Sequence, residues 1–285
     1  MGTEVKECPQ CGSQSAEAAL SCQACGTAFL PSGIGPSVSP LPDERTSSSL
    51  NAVSPSYGRR LQVFELLLVC FVGFAGALFL SYYVLFTGLT PPSTMRGEIR
   101  WWYSILHQIG ILALVWYVLQ RRSQNFSDLG FYWKTKEVFI APLLWFACGI
   151  VGYISKLIIQ RFGGFPPGSK PNAQAEAFLF SGGIGIATFI FQFINPFFEE
   201  LIARAYLITR IKELTNSMAL AIVGSVVFQV SYHFYQGFWT GLSHAGTFLV
   251  LSLYYAKTNR ILAPILAHMI FDISATLFYM SKTAH

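Results

Sequence analysis

Charge is what this sequence has least of. Only 12% of its 285 residues are Asp, Glu, Lys or Arg, and 53% are hydrophobic, whereas a soluble domain carries about 25% charged residues. That shortage excludes an ordinary soluble globule and points to the bilayer as solvent. An apolar signal-peptide core is also missing from residues 1–30, which are polar and cysteine-bearing, so the first insertion signal is the apolar run near residue 61. The Lys and Arg residues give a net charge of +5, but they are scattered through short loops. With no basic face to gather them, a nucleic-acid partner is not expected. Cysteine is scarce too: of six, Cys70 and Cys148 stand alone in apolar runs and read as plain core thiols.

What is present is a series of apolar runs near 61–86, 99–119, 137–160, 180–198, 217–236, 240–257 and 260–280. Each is about long enough to cross ~30 Å of hydrocarbon as a helix. The expected fold is an all-α polytopic membrane helix bundle of about seven transmembrane helices, preceded by a small zinc-ribbon module. Its divisions are 1–30 for the ribbon, 31–60 for a disordered Ser/Pro/Gly linker and 61–281 for the bundle. Taken alternately, the loops on the N-terminal side carry about twice as many Lys and Arg as those on the other side. The positive-inside rule then predicts a cytoplasmic N-terminus. The expected location is a bacterial cell membrane.

The ribbon expectation rests on CPQCGSQSAEAALSCQACG at 8–26, where Cys-x-x-Cys-Gly occurs twice. Cys8, Cys11, Cys22 and Cys25 offer four thiolates at a spacing suited to a structural, tetrahedral Zn2+, and the glycines permit the tight turns around it. Such a small module would take its folding free energy from the metal. Reduced thiols fit the cytoplasm, where the ribbon could hold a partner. Farther on, the Gly- and Pro-rich stretch at 161–178 cannot be helix throughout. The segment 179–212 is too long for one simple span, so it either projects from the bilayer or is deformed at Pro196.

The question of function sits in NPFFEELIARAYL, residues 195–207, where charges fall inside oil. Glu199, Glu200, Arg204, His233, His268 and Asp272 all lie within or at the edges of the last spans. An intramembrane charge costs roughly 2.5–3.5 kcal/mol on insertion scales, so such residues face a cavity or one another. Counted from the loops on one side at ~1.5 Å per residue, Glu199 stands ~21 Å deep, His233 ~24 Å, Asp272 ~20 Å and His268 ~14 Å. All four can converge. Glu200 and Arg204, four apart, share a helix face as an ion pair. Glu199 is rotated about 100° away and is left as the candidate general base. His268 and Asp272 are also four apart, so Asp272 can orient His268 or join it on a metal. His107 and His244 have no matching partner and read as ordinary polar positions.

The ordered set EExxxR (Glu199, Glu200, Arg204), a histidine on the next span (His233) and HxxxD (His268, Asp272) resembles the CPBP family. These are intramembrane proteases that include the type II CAAX prenyl endopeptidases and bacterial relatives linked to bacteriocin immunity. The resemblance covers roughly 175–280, with the site motifs at 199–272, and extends to LYYAKTNRILAPILAHMIFD. It departs at Gln229, where relatives carry phenylalanine four before the histidine, and at Ala203 and Ala205 flanking Arg204. The resemblance implies hydrolysis of a peptide bond in a membrane-associated protein or peptide. Glu199 would activate water, while His233 and His268 would bind a catalytic divalent metal or stabilise the oxyanion. Intramembrane carboxylates and histidines also suit a transporter or proton relay, and the same chain could serve as a catalytically silent immunity or scaffold protein.

Overall fold

In the computed structural model the described residues are 5–7, 13–16, 21, 24, 58–88, 98–165, 176, 179–180 and 183–283. The chain divides into two units, Met1–Ala52 and Val53–His285. In the first, β1 (Val5–Glu7) and β2 (Gln14–Ala16) pair antiparallel with Glu7 opposite Gln14. Cys8, Cys11, Cys22 and Cys25, and nearly all of the expected linker, lie outside the described residues.

The second unit is helical. α1 (Arg59–Thr87) is apolar on all sides, yet only one stripe meets protein, through Leu66, Val69, Gly73 and Phe74. Phe64, Leu67, Phe71, Phe79 and Phe86 point outward, an array of exposed rings that calls for lipid. The helix closes at Gly88, whose φ of 69° lets its N–H reach back to the Val84 carbonyl. α2 (Glu98–Arg121) and α3 (Thr135–Arg161) follow. Between them a short 3-10 turn, Phe126–Leu129, is capped by Asn125, whose side chain accepts from the Ser127 N–H.

The fourth span is the central one. α4 (Ile186–Glu199), a π-helical segment (Glu200–Tyr206) and α5 (Leu207–Thr215) run on as 30 residues, 56% of whose apolar window is buried, against 22% for α1 and 17% for α3. The charged stretch therefore lies in the heart of the bundle. Of the two alternatives expected for this segment, a deformation is present, but it begins at Glu200 and not at Pro196. At ~1.5 Å per residue the span is about 45 Å long, longer than the hydrocarbon, and it is deformed. The deformation begins one turn after Pro196, as a widened π turn whose end is marked by the Leu207 N–H reaching the Ile202 carbonyl. π turns of this kind commonly occur at functional sites.

α6 (Met218–Tyr232) is only 15 residues long, and α8 (Ala245–Thr258) only 14. Between them stand a 3-10 turn, Phe234–Gln236, and the short α7 (Phe238–Ser243), joined at Gly237 with φ 100°. α9 (Leu262–Thr283) ends the described chain. Among the described residues there are seven principal helical runs, and five are long and apolar enough to cross a membrane: α1, α2, α3, α4 to α5, and α9. The fifth and sixth are shorter than the expected spans 217–236 and 240–257, because backbone breaks at His233 and His244 interrupt them.

α4 packs on α2 and α9, α9 on α3, and α6 on α5 and α8. At one end, Arg122 ties Glu65 (3.3 Å) to Glu213 (3.0 Å), and Arg210 also holds Glu213 (2.8 Å), which fastens α1, the C-terminus of α2 and α5. The start of α3 is clamped by Glu137, which accepts from Arg260 at 2.9 Å and from the Tyr254 hydroxyl at 2.6 Å. Gly130 is required here: its φ is 80°, and a Cβ would collide with the Asn259 carbonyl in the turn before α9.

Candidate active site

The widened turn after Glu199 gives the two glutamates different company. Glu200 is almost fully buried. It forms the expected ion pair with Arg204 and also accepts from His268 Nδ1 at 3.0 Å, so it joins the central span to α9. Arg204 is itself fully enclosed, donating through Nη2 to Gln229 Oε1 at 2.7 Å and through Nε to Ser252 Oγ at 3.3 Å. Gln229 completes the network by donating to Ser225 Oγ at 3.0 Å, and Ser225 donates to the Ala203 carbonyl at 2.6 Å. The glutamine that departs from the family pattern is thus the polar partner of the buried arginine.

Glu199 is half-buried, and the donors on it are neutral. Asn195 Nδ2 donates to Oε1 at 3.1 Å, and the Tyr232 hydroxyl donates to Oε2 at 2.8 Å. Asn195, one turn earlier on α4, also accepts from Gln108 at 2.7 Å and hydrogen-bonds Asp272. A single amide thereby addresses both Glu199 and Asp272. Neither Asn195 nor Tyr232 is singled out by the motif pattern, although Asn195 stands at the i−4 position whose side chain shares a face with Glu199.

His233 sits at the C-terminus of α6, where the helix stops. Its Nδ1 is 2.7 Å from the Gln229 carbonyl. A carbonyl can only accept, so Nδ1 carries the hydrogen and Nε2 keeps its lone pair. The break itself is braced from α1: Ser81 donates to the Tyr232 carbonyl at 2.8 Å and accepts from the Tyr235 N–H at 3.0 Å. These two bonds satisfy groups that the helix end would otherwise leave orphaned. His233 lies in the fields of Glu199 and His268, and Asp272 in those of His268 and Glu199. His268 Nε2 stands 3.6 Å from Asp272 Oδ1. All six motif residues therefore meet in one region.

His244, expected as an ordinary polar residue, lies beside His233. Its ring lies 5.8 Å from that of His233, and Nε2 contacts Gln236 Oε1 at 3.0 Å. The pairing crosses a helix break, so no helical spacing reveals it. His107 does read as an ordinary position, with Nε2 3.2 Å from the Val72 carbonyl. Among the described residues, no three His, Cys, Asp or Glu side chains form a set that could hold a metal ion.

Comparison with known proteins places these observations. No curated protein and no solved structure matches the chain. Residues 181–274, about a third of its length, match the family described as "Type II CAAX prenyl endopeptidase Rce1-like", and that segment contains Glu199, Glu200, Arg204, His233, His268 and Asp272. That segment, in a chain whose described residues include five helices long and apolar enough to cross a membrane, is similar to the Rce1-like family of CAAX-type endopeptidases.

Proposed function

We propose that the protein hydrolyses a peptide bond of a membrane-associated protein or peptide, with Glu199 as general base. The observation that carries this reading is the unequal treatment of the two glutamates. Glu200 is engaged by Arg204 and His268, whereas the donors on Glu199 are the neutral Asn195 and Tyr232. A carboxylate held in place but not neutralised can accept a proton.

In this reading a water lies between Glu199 and the free Nε2 of His233. Glu199 removes its proton as the oxygen bonds to the scissile carbonyl carbon, and the carbonyl π pair moves onto oxygen. His268, held by Glu200 and Asp272, lines the same space. Asp272 and Glu200 orient His268. When the tetrahedral intermediate collapses, the C–N bond breaks and Glu199 returns its proton to the departing amine. The residues leave one ring nitrogen, Nε2 of His233, free to hold the water or a metal. Nδ1 of both histidines is already committed, and His268 Nε2 faces Asp272.

The test is Glu199→Gln in the full chain, reconstituted in lipid and assayed on a membrane-anchored peptide. Removing a general base lowers the rate by about 10²- to 10⁴-fold, with the unfolding midpoint unchanged. Undiminished cleavage would sink the assignment.

A further inference from the structure

α2 turns one buried stripe toward the rest of the bundle, in which Trp101, Ile105, Gln108, Ile111 and Val115 recur at helical spacing. Gln108 is the exception in this apolar row. Its side chain is 5% exposed, and only half of its amide is used within the protein: Nε2 donates to Asn195 Oδ1 at 2.7 Å, whereas Oε1 has no partner among the described residues. Burying a half-satisfied amide costs stability that an apolar side chain would not. What the glutamine supplies in return is its bond to Asn195.

That bond decides which way round Asn195 sits, and the two ways are opposite for Glu199. As it stands, Nδ2 donates to Glu199 Oε1 at 3.1 Å while Oδ1 is turned to Gln108. Rotated by half a turn, Oδ1 would face Oε1, acceptor against acceptor, because a carboxylate has no hydrogen to give. Nδ2 would at the same time meet Nε2 of Gln108, donor against donor. The bond from α2 therefore selects the orientation that serves an ionised Glu199. It also separates the two oxygens of that carboxylate. Oε1 faces an amide N–H, which cannot accept a proton, whereas Oε2 faces the Tyr232 hydroxyl at 2.8 Å, which can turn and accept one.

We propose that Gln108 is a positioning residue for the general base. Acting through Asn195, it keeps Glu199 Oε1 as the fixed accepting oxygen and leaves Oε2 to take the proton from water and return it to the departing amine. The proposal rests on the proteolytic reading above and adds to it a residue outside the matched segment 181–274, on a helix that carries none of the six motif residues.

The experiment reads orientation and rate separately, in the full chain held in nanodiscs. Orientation is read by NMR of protein labelled with 15N in its asparagine side chains, the Asn195 resonance being the one lost in Asn195→Leu. Gln108→Met keeps the length of the side chain but removes the donor, and should shift or split that resonance; an unmoved resonance overturns the proposal. Rate is read by cleavage of the membrane-anchored peptide. Gln108→Met should lower kcat about 10-fold, with KM and the unfolding midpoint unchanged. Asn195→Leu should lower kcat at least as far, and adding Gln108→Met to it should cost nothing more, since one residue acts through the other. A kcat left intact by Gln108→Met, a loss confined to KM, or a further loss in the double variant overturns the proposal. Gln108→Leu repeats these measurements, and failure of both Gln108 variants to fold would make the residue structural and overturn it too. If the wild type cleaves nothing, the proteolytic reading falls, and the resonance alone decides whether Gln108 sets Asn195 against Glu199.

Discussion

Replacing Arg204 with methionine is the sharpest test of how the site is built. Arg204 is wholly enclosed and bonds Glu200, Gln229 and Ser252, so its loss strands a carboxylate, an amide oxygen and a hydroxyl in the core. Breaking a buried ion pair from one side costs about 3–5 kcal/mol, most of it the penalty for the charge left behind. The stranded amide adds about 1–3 kcal/mol if no water reaches it. A loss of at least about 3 kcal/mol is therefore expected. The double variant Glu200→Gln, Arg204→Met should regain a good part of this loss, because the orphaned charge is gone. Unfolding of the purified protein in mixed micelles, followed by tryptophan fluorescence, measures both. Should Arg204→Met lose less than about 1 kcal/mol, or the double variant be no more stable than the single, the buried pair does not hold the central span as described.

Tyr232→Phe removes the hydroxyl donor to Glu199 and should lower kcat by about 10-fold or more, with little change in unfolding midpoint, as measured by steady-state cleavage beside thermal unfolding. Ser81→Ala takes two bonds from the break at His233, so a cost of about 1–3 kcal/mol is expected, together with faster amide exchange at residues 233–237 than elsewhere. Purified wild-type protein should carry zinc that is lost when Cys8, Cys11, Cys22 and Cys25 are changed to serine. Elemental analysis decides this, and zinc that persists in that variant and leaves only with His233 or His268 would place a metal in the bundle.

Motif spacing made much of the site legible. Four-residue intervals paired Glu200 with Arg204 and set His268 beside Asp272, and depth counting brought Glu199 level with His233. The π segment left no local signal beyond Pro196; it packs against α1, α6 and α8, contacts that local sequence does not display. The second partner of Glu200, His268, was hidden for the same reason: contacts between spans do not follow helical periodicity. The nearness of His244 to His233 was not legible, because a break in the helix lies between them. The short α6 and α8 were read as full spans because apolar composition continues through the turns that interrupt them.

Those two short helices bear on the protein's relation to its solvent. At ~1.5 Å per residue they reach only about 22 and 21 Å, well under the ~30 Å of hydrocarbon. A bilayer meeting them must thin locally, or let water in above His233. Hydrolysis consumes water, and the helix that carries His233 ends where water must arrive. On the proposed hydrolytic reading, bilayer thickness should control the rate: thin membranes should ease water entry, and thick membranes should slow it.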